Sequence, residues 1–182
     1  MPGTWSQELV DRTWRFAAQA HQGQTLPGTD LPYAVHPALV CMEVMAALRA
    51  EPGAERDEDL AVQCALLHDV VEDTAVSAEE VRATFGAAVA AGVLALSKDA
   101  SLPGHERMAD SLRRIREQPR EVWMVKLADR ITNLAPPPLH WQQPRIAAYR
   151  AEALEILRAL GEASPILAGR LADMIEVYAA FL

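Results

Sequence analysis

The chain has little positive charge, almost no cysteine, no long apolar run and almost no strand signal, and each shortage narrows what it can do. Lysines and arginines number 17 against 25 acidic side chains, for a formal charge of -8. Phosphate backbones select basic surfaces, so no nucleic-acid polymer is expected as a partner. A small phosphorylated ligand stays compatible, because a bound divalent cation can reverse the local field. Lysine occurs only at Lys98 and Lys126, a compositional bias without functional weight. Cys41 and Cys64 fall within apolar helical patterns and are expected as buried free thiols, not as a disulfide. The segment MPGTWSQELVD holds no basic stretch followed by an apolar core, so no secretion signal is expected. The longest purely apolar run, Ala87 to Leu96, is too short to cross a bilayer. The expectation is a cytoplasmic protein without membrane contact; the sequence sets no oligomeric state.

What is present suits one globular domain over residues 1–182. The hydrophobic fraction is 51% and the charged fraction 23%, and this length can bury a real core. Apolar residues recur at helical spacing, which predicts an all-α fold of about eight to ten helices. Ser6 can cap a first helix reaching about His21, where Gly23 ends it. A loop rich in Gly, Pro and Thr follows to about Pro32. Pro37 suits the first turn of a second helix to about Arg49. After a polar turn over 51–59, Asp57 or Asp59 can cap a third helix running through Val71. Ser77 and Glu80 form a capping box for a fourth helix ending near Gly86. Further helices are expected over Ala87 to Leu96, His105 to Gln118, Pro119 to about Leu134, Pro144 to Leu160 and from Ser164 to the end. Pro136, Pro137 and Pro138 stop the one before the last two.

Chemistry concentrates in Leu66-Leu67-His68-Asp69-Val70-Val71-Glu72-Asp73-Thr74. Helical residues four apart share a face, so Glu72 stacks on His68 and Asp73 on Asp69. A solvated helix end would account for Glu72 and Asp73 alone. It fits His68 and Asp69 poorly, because they adjoin Leu66, Leu67, Val70 and Val71. Asp129 lies in a similarly apolar helix, where a structural pairing with Arg130 or Lys126 is the plainer reading. His36 taken alone reads as a hydrogen-bonded residue at a helix start. Taken together, His36, His68, Asp69 and Asp129 offer two imidazoles and two carboxylates. That donor set suits Mn, Fe, Co or Zn better than Mg or Ca.

These motifs carry a resemblance. A distant His, an adjacent His-Asp pair and a later Asp make the chain similar to HD-domain phosphohydrolases. It resembles most closely the hydrolase half of RelA/SpoT proteins and the small alarmone hydrolases. The matching segments are HQGQT at 21–25, PYAVHP at 32–37, ALLHDVVEDT at 65–74, FG at 85–86 and VKLADRITNL at 125–134. The resemblance implies an HD-type helical bundle, Mn as the usual metal, and removal of the 3′-pyrophosphate from ppGpp-like nucleotides. It implies His36, His68, Asp69 and Asp129 as metal ligands and Glu72 and Asp73 as the acidic pair that handles the hydrolytic water. It places Asn133 at the ribose, Arg107 near the far phosphates, Lys98 as a further phosphate candidate and Tyr149 beside the nucleoside. His21 reads as a structural hydrogen-bonding residue.

Two positions depart from the family pattern. Leu26 stands where an arginine commonly packs on the guanine, and Pro136 where a threonine is frequent. Both touch the purine pocket and neither touches the metal centre, so an adenine alarmone such as ppApp joins ppGpp as a candidate substrate. Two other readings stay open: an HD phosphohydrolase acting on another nucleotide or phosphoester, and an inactive domain that binds alarmone as a sensor. Glu72 and Asp73 count against the sensor, which has no need of a water-activating pair.

Overall fold

A computed structural model describes residues 5–51 and 55–182. Among them ten α-helices follow one another and no strand forms; part of the turn expected over 51–59 lies outside the described residues. The helices are α1 (Gln7–Ala20), α2 (Val35–Ala50), α3 (Glu58–Leu67), α4 (Val70–Asp73), α5 (Ala78–Phe85), α6 (Ala87–Leu96), α7 (Arg107–Arg116), α8 (Arg120–Asn133), α9 (Gln143–Leu160) and α10 (Pro165–Tyr178). No helix among the described residues is long and apolar enough to cross a membrane.

The caps follow local chemistry. Ser6 accepts the Leu9 N–H, Asp57 that of Leu60 and Ser164 that of Leu167, and Ser77 and Glu80 form the reciprocal capping box. The expected helix over His105 to Gln118 is shorter, starting at Arg107 and ending at Arg116.

One expectation fails in an informative place. The third helix does not run through Val71; it stops at Leu67, turns at His68 and Asp69, and restarts as α4. A continuing helix would give the Ala65 carbonyl to the Asp69 N–H. Here the His68 Nδ1 engages that carbonyl at 2.8 Å. Nothing in the sequence marks the break, since the segment contains neither glycine nor proline.

Two helices form the centre. Every residue of α3 from Leu60 to Leu67 is buried, and so is every residue of α8 from Glu121 to Ile131. A helix buried on all sides needs neighbours all round: α3 packs against α1, α2, α6 and α8, and α8 against α2, α3, α9 and α10. Cys41 and Cys64 are free and buried, as expected, and burial pushes both thiols up to about 12, away from thiolate chemistry. The loop between α1 and α2 folds back on itself, with Leu26 N–H on the Leu31 carbonyl and Tyr33 N–H on the Gln24 carbonyl, both at 2.9 Å.

Helix α6 approaches this centre through Gly92. A Cβ there would lie 2.7 Å from Cys64 Sγ and 2.9 Å from a Val122 methyl, too close to both. Gly92→Ala is therefore expected to destabilise the fold by about 1–3 kcal/mol, the usual cost of overpacking, despite alanine's better helix propensity. Chemical denaturation checks this; an unchanged or higher midpoint would show that α6 sits more loosely than described.

Candidate metal centre

His68 and Asp69 sit at the break between α3 and α4, His36 in the first turn of α2, and Asp129 in α8. The break matters because it lets consecutive residues point their polar atoms at one place. His68 Nε2 lies 3.1 Å from His36 Nε2 and 3.0 Å from Asp69 Oδ2. Asp129 Oδ1 lies 3.4 Å from the His36 nitrogen and 3.8 Å from that of His68, and His36 Nε2 is 3.5 Å from Asp69 Oδ2. Four donors bound to one ion at about 2.1 Å stand about 3.0–3.4 Å apart. The donor atoms of His36, His68 and Asp69 all lie within 4.8 Å of one another, with Asp129 beside the two imidazoles.

The partners of these residues orient them for that centre. A carbonyl can only accept, so the His68 nitrogen facing Ala65 carries hydrogen and Nε2 is left for the cleft. Thr132 donates its hydroxyl to the Asp129 carbonyl at 2.9 Å and can then only accept from His36 Nδ1, 3.5 Å away. Both imidazoles thus face the centre through Nε2, held as ligating histidines are held by their outer partners. Tyr33 donates to Asp69 Oδ2 at 2.6 Å. Lys126 donates to Asp129 Oδ2 at 2.9 Å and the Asn133 amide to Asp129 Oδ1 at 2.5 Å. The plainer reading of Asp129 therefore also holds in part: it does pair with Lys126.

Electrostatics favour a cation here. Burial works against a charged His68, but the Asp69 carboxylate, with Asp129 behind it, raises its pKa to about 9. Burial would raise the Asp69 and Asp129 carboxyls too; His68 beside the first and Lys126 beside the second hold them low instead. Asp73 moves the other way, raised by burial and by the neighbouring Asp69 and Glu72 carboxylates. The surrounding cleft is lined by five carboxylates, those of Asp69, Glu72, Asp73, Asp129 and Glu152, and by three cationic side chains, Lys98, Lys126 and Arg130. One divalent ion cancels the difference. The chemistry of the donors and their spacing fit such an ion, with His36, His68, Asp69 and Asp129 as the residues to hold it.

Glu72, Asp73, Lys98, Asn133 and Tyr149 also line the cleft, so most of the residues singled out from the sequence come together. Glu72 is fixed by accepting the Lys98 backbone N–H at 2.8 Å. Arg107 lies outside the cleft lining; its Nε and Nη2 donate to the carbonyls of Leu102 and Ala100, closing the loop before α7. Leu26 is half-buried in the folded-back loop and Pro136 is exposed beyond α8, neither lining the cleft. His21 donates to Gln24 at 2.8 Å and stacks on Tyr33, the hydrogen-bonding part expected of it.

Six lining or orienting residues escaped the sequence reading as parts of the site: Tyr33, Leu96, Lys126, Arg130, Thr132 and Glu152. Tyr33 could have been found, since it sits within PYAVHP three residues before His36. Glu152, on α9 and remote in sequence, could not.

The chain matches the family model described as HD domain over residues 13–167. It is 32% identical over 160 residues to the guanosine-3′,5′-bis(diphosphate) 3′-pyrophosphohydrolase MESH1 of Danio rerio, covering 85% of this chain and 86% of that protein. It is 33% identical over 162 residues to a GTP pyrophosphokinase of Myxococcus xanthus, where 84% of this chain meets only 20% of the relative. A solved structure described as a metazoan ortholog of SpoT that hydrolyzes ppGpp and plays a role in starvation responses superposes with a TM-score of 0.80 at 27% identity, over 96% of this chain and 97% of the other. On fold, centre and likeness together, the chain belongs to the HD domain family, in the group of its guanosine-3′,5′-bis(diphosphate) 3′-pyrophosphohydrolase relatives.

Proposed function

We propose that the chain, acting over residues 1–182 as one domain in the cytoplasm, is a Mn-dependent 3′-pyrophosphohydrolase of alarmone nucleotides, ppGpp and ppApp among them. The observation that carries this reading is the convergence of His36, His68, Asp69 and Asp129 in the same cleft as Glu72 and Asp73. The four would hold a divalent ion, which would lower the pKa of water bound to it and neutralise phosphate charge. Water adds to the phosphorus attached to the 3′ oxygen, the bond from phosphorus to that oxygen breaks, and a proton returns to it. The products are the nucleoside 5′-diphosphate and pyrophosphate. Asp73, whose pKa is raised by burial and by its carboxylate neighbours, accepts the proton of the water. Glu72, tied to the Lys98 backbone, fixes the water's direction. Asn133 on α8, Tyr149 on α9 and Lys98 line the same cleft, where the first two would meet the sugar and base and Lys98 the phosphates.

The adenine reading rests on the sequence pattern, Leu26 standing where the family the chain resembles commonly has an arginine, in a loop outside the cleft lining that would have to close on the base. A guanidinium can stack on a purine and donate to the guanine O6 and N7, whereas leucine offers apolar contact alone. Adenine presents an amino donor in place of O6, so losing an arginine costs it less.

Four outcomes test the reading. His68→Ala or Asp69→Ala abolishes bound Mn and turnover while helical circular dichroism persists. In the unsubstituted protein, Mn uptake near neutral pH releases a proton, because His68 is protonated below about 9 and must give that proton up to bind metal. Apparent Mn affinity therefore rises with pH, and calorimetry in buffers of different ionisation enthalpy reads the release. Stoichiometric Mn on the His68→Ala protein would overturn the ligand assignment.

Glu72→Gln and Asp73→Asn keep Mn binding and lower turnover by about 10²–10⁴-fold, the usual loss of a general acid or base. Loss of Mn in either would make that residue a ligand instead.

Competition of ppApp against ppGpp in one reaction gives the ratio of their specificity constants. Leu26→Arg is expected to move that ratio toward ppGpp. A strong ppGpp preference before the substitution would defeat the adenine reading.

A further inference from the structure

Arg130 follows Asp129 in α8, and it is buried where it lines the cleft. Its Nε and Nη1 are enclosed and have no hydrogen-bond partner. Native proteins leave few buried polar groups unpaired, because nothing then repays the lost hydration. The remaining nitrogen, Nη2, donates to Glu152 at 3.2 Å, and the guanidinium carbon lies 4.3 Å from the centre of the Tyr149 ring. This ion pair is lopsided, with 5% of the arginine side chain exposed against 44% of the glutamate. A half-solvated carboxylate on one nitrogen is a weak counterion for a desolvated guanidinium.

The other cations of the cleft are already engaged. Lys126 is bound to Asp129 at 2.9 Å, and Lys98 stands half-exposed, 3.8 Å from Glu72. Arg130 is thus the cationic lining residue with buried donors to spare, and it lies over the face of the Tyr149 ring. Oxygen-rich anions are what such donors bind best.

We propose that Arg130 is a substrate-binding residue: released from Glu152, which competes for the same guanidinium, it turns so that Nε and Nη1, enclosed in the free protein, donate to phosphate oxygens of the nucleotide. The identity of that nucleotide rests on the function proposed above. Tyr149 takes a second part here, orienting the arginine as well as facing the nucleoside. Removing Arg130 removes a contact to the anion; removing the charge of Glu152 releases the arginine for it. The two substitutions therefore act in opposite directions on substrate affinity, whereas a merely structural ion pair would make them act alike.

Hydrolysis of ppGpp divides its two diphosphates between two products: GDP retains the 5′ one and pyrophosphate carries the 3′ one. The test titrates each product against the Mn-loaded protein as it stands and as Arg130→Met, Arg130→Lys and Glu152→Gln, and measures KM and kcat for ppGpp. Arg130→Met is expected to weaken GDP or pyrophosphate roughly 10- to 100-fold, the range for a lost hydrogen bond to a charged group, with Mn stoichiometry unchanged and KM raised more than kcat falls. Arg130→Lys, which keeps charge without the planar guanidinium, falls between. Glu152→Gln lowers KM. Unchanged affinity for both products in Arg130→Met, or KM rising in Glu152→Gln, overturns the proposal. Should Arg130→Met fail to fold, the Glu152→Gln and Arg130→Lys measurements decide alone. Product binding that depends on Arg130 in a protein that does not turn over ppGpp would uphold the anion site and sink the proposed reaction instead.

Discussion

Everything in this molecule is arranged around a concentration of negative charge that a protein interior cannot hold uncompensated. Asp129 is enclosed in a helix with no solvent face, and Asp69 faces it across two imidazoles. Taking such carboxylates out of water costs several kcal/mol each unless partners repay it. The partners are all near: Lys126 and the Asn133 amide on Asp129, Tyr33 on Asp69, and His68 between them. Behind these polar groups α3 and α8 are packed among aliphatic side chains, so the charges are met by named partners on one side and by low dielectric on the other.

The same constraint explains why α3 and α8 are the two central helices. A site of four donors needs positions fixed to within a fraction of an ångström, and rigid elements buried on every side supply that better than loops. Both helices bring polar side chains inward, and His68 at the end of α3 and Glu121, Lys126, Asp129 and Arg130 along α8 each meet a partner. Glu121, buried at the start of α8, accepts the Asp57 backbone N–H and so registers α8 against the start of α3. The two central helices are tied together at the end opposite the metal centre as well as at it.

Much of this was legible in the residues. Ser6, Asp57, Ser77 with Glu80, and Ser164 announce helix starts because capping is a local bargain between a side chain and N–H groups three residues away. HDVVED and LADR announced the cleft through polar groups set among aliphatic ones. The break at His68 was not legible, because its cause is a ring nitrogen taking a backbone carbonyl, which periodicity does not register. Glu152 was invisible for another reason: α9 meets α8 only in the folded molecule, so no spacing in the sequence relates it to Arg130. Arg107 shows the reverse case. Its position in the chain suits a phosphate contact, but the carbonyls of the turn before α7 lie closer to its guanidinium.

The folded-back loop between α1 and α2 has a bearing on how such a protein can diverge. Its two backbone hydrogen bonds at 2.9 Å close it upon itself, so a side chain such as Leu26 can drift without disturbing any donor of the metal centre. Descendants could therefore vary the side chains of this loop while inheriting the four donors in place. One thread limits that freedom: the Gln24 amide reaches out of the loop to the Asp73 carbonyl at 2.6 Å. A lineage that lets Gln24 go loosens the loop and the acidic turn in the same step, so the shape of the one and the placement of the other meet at that amide.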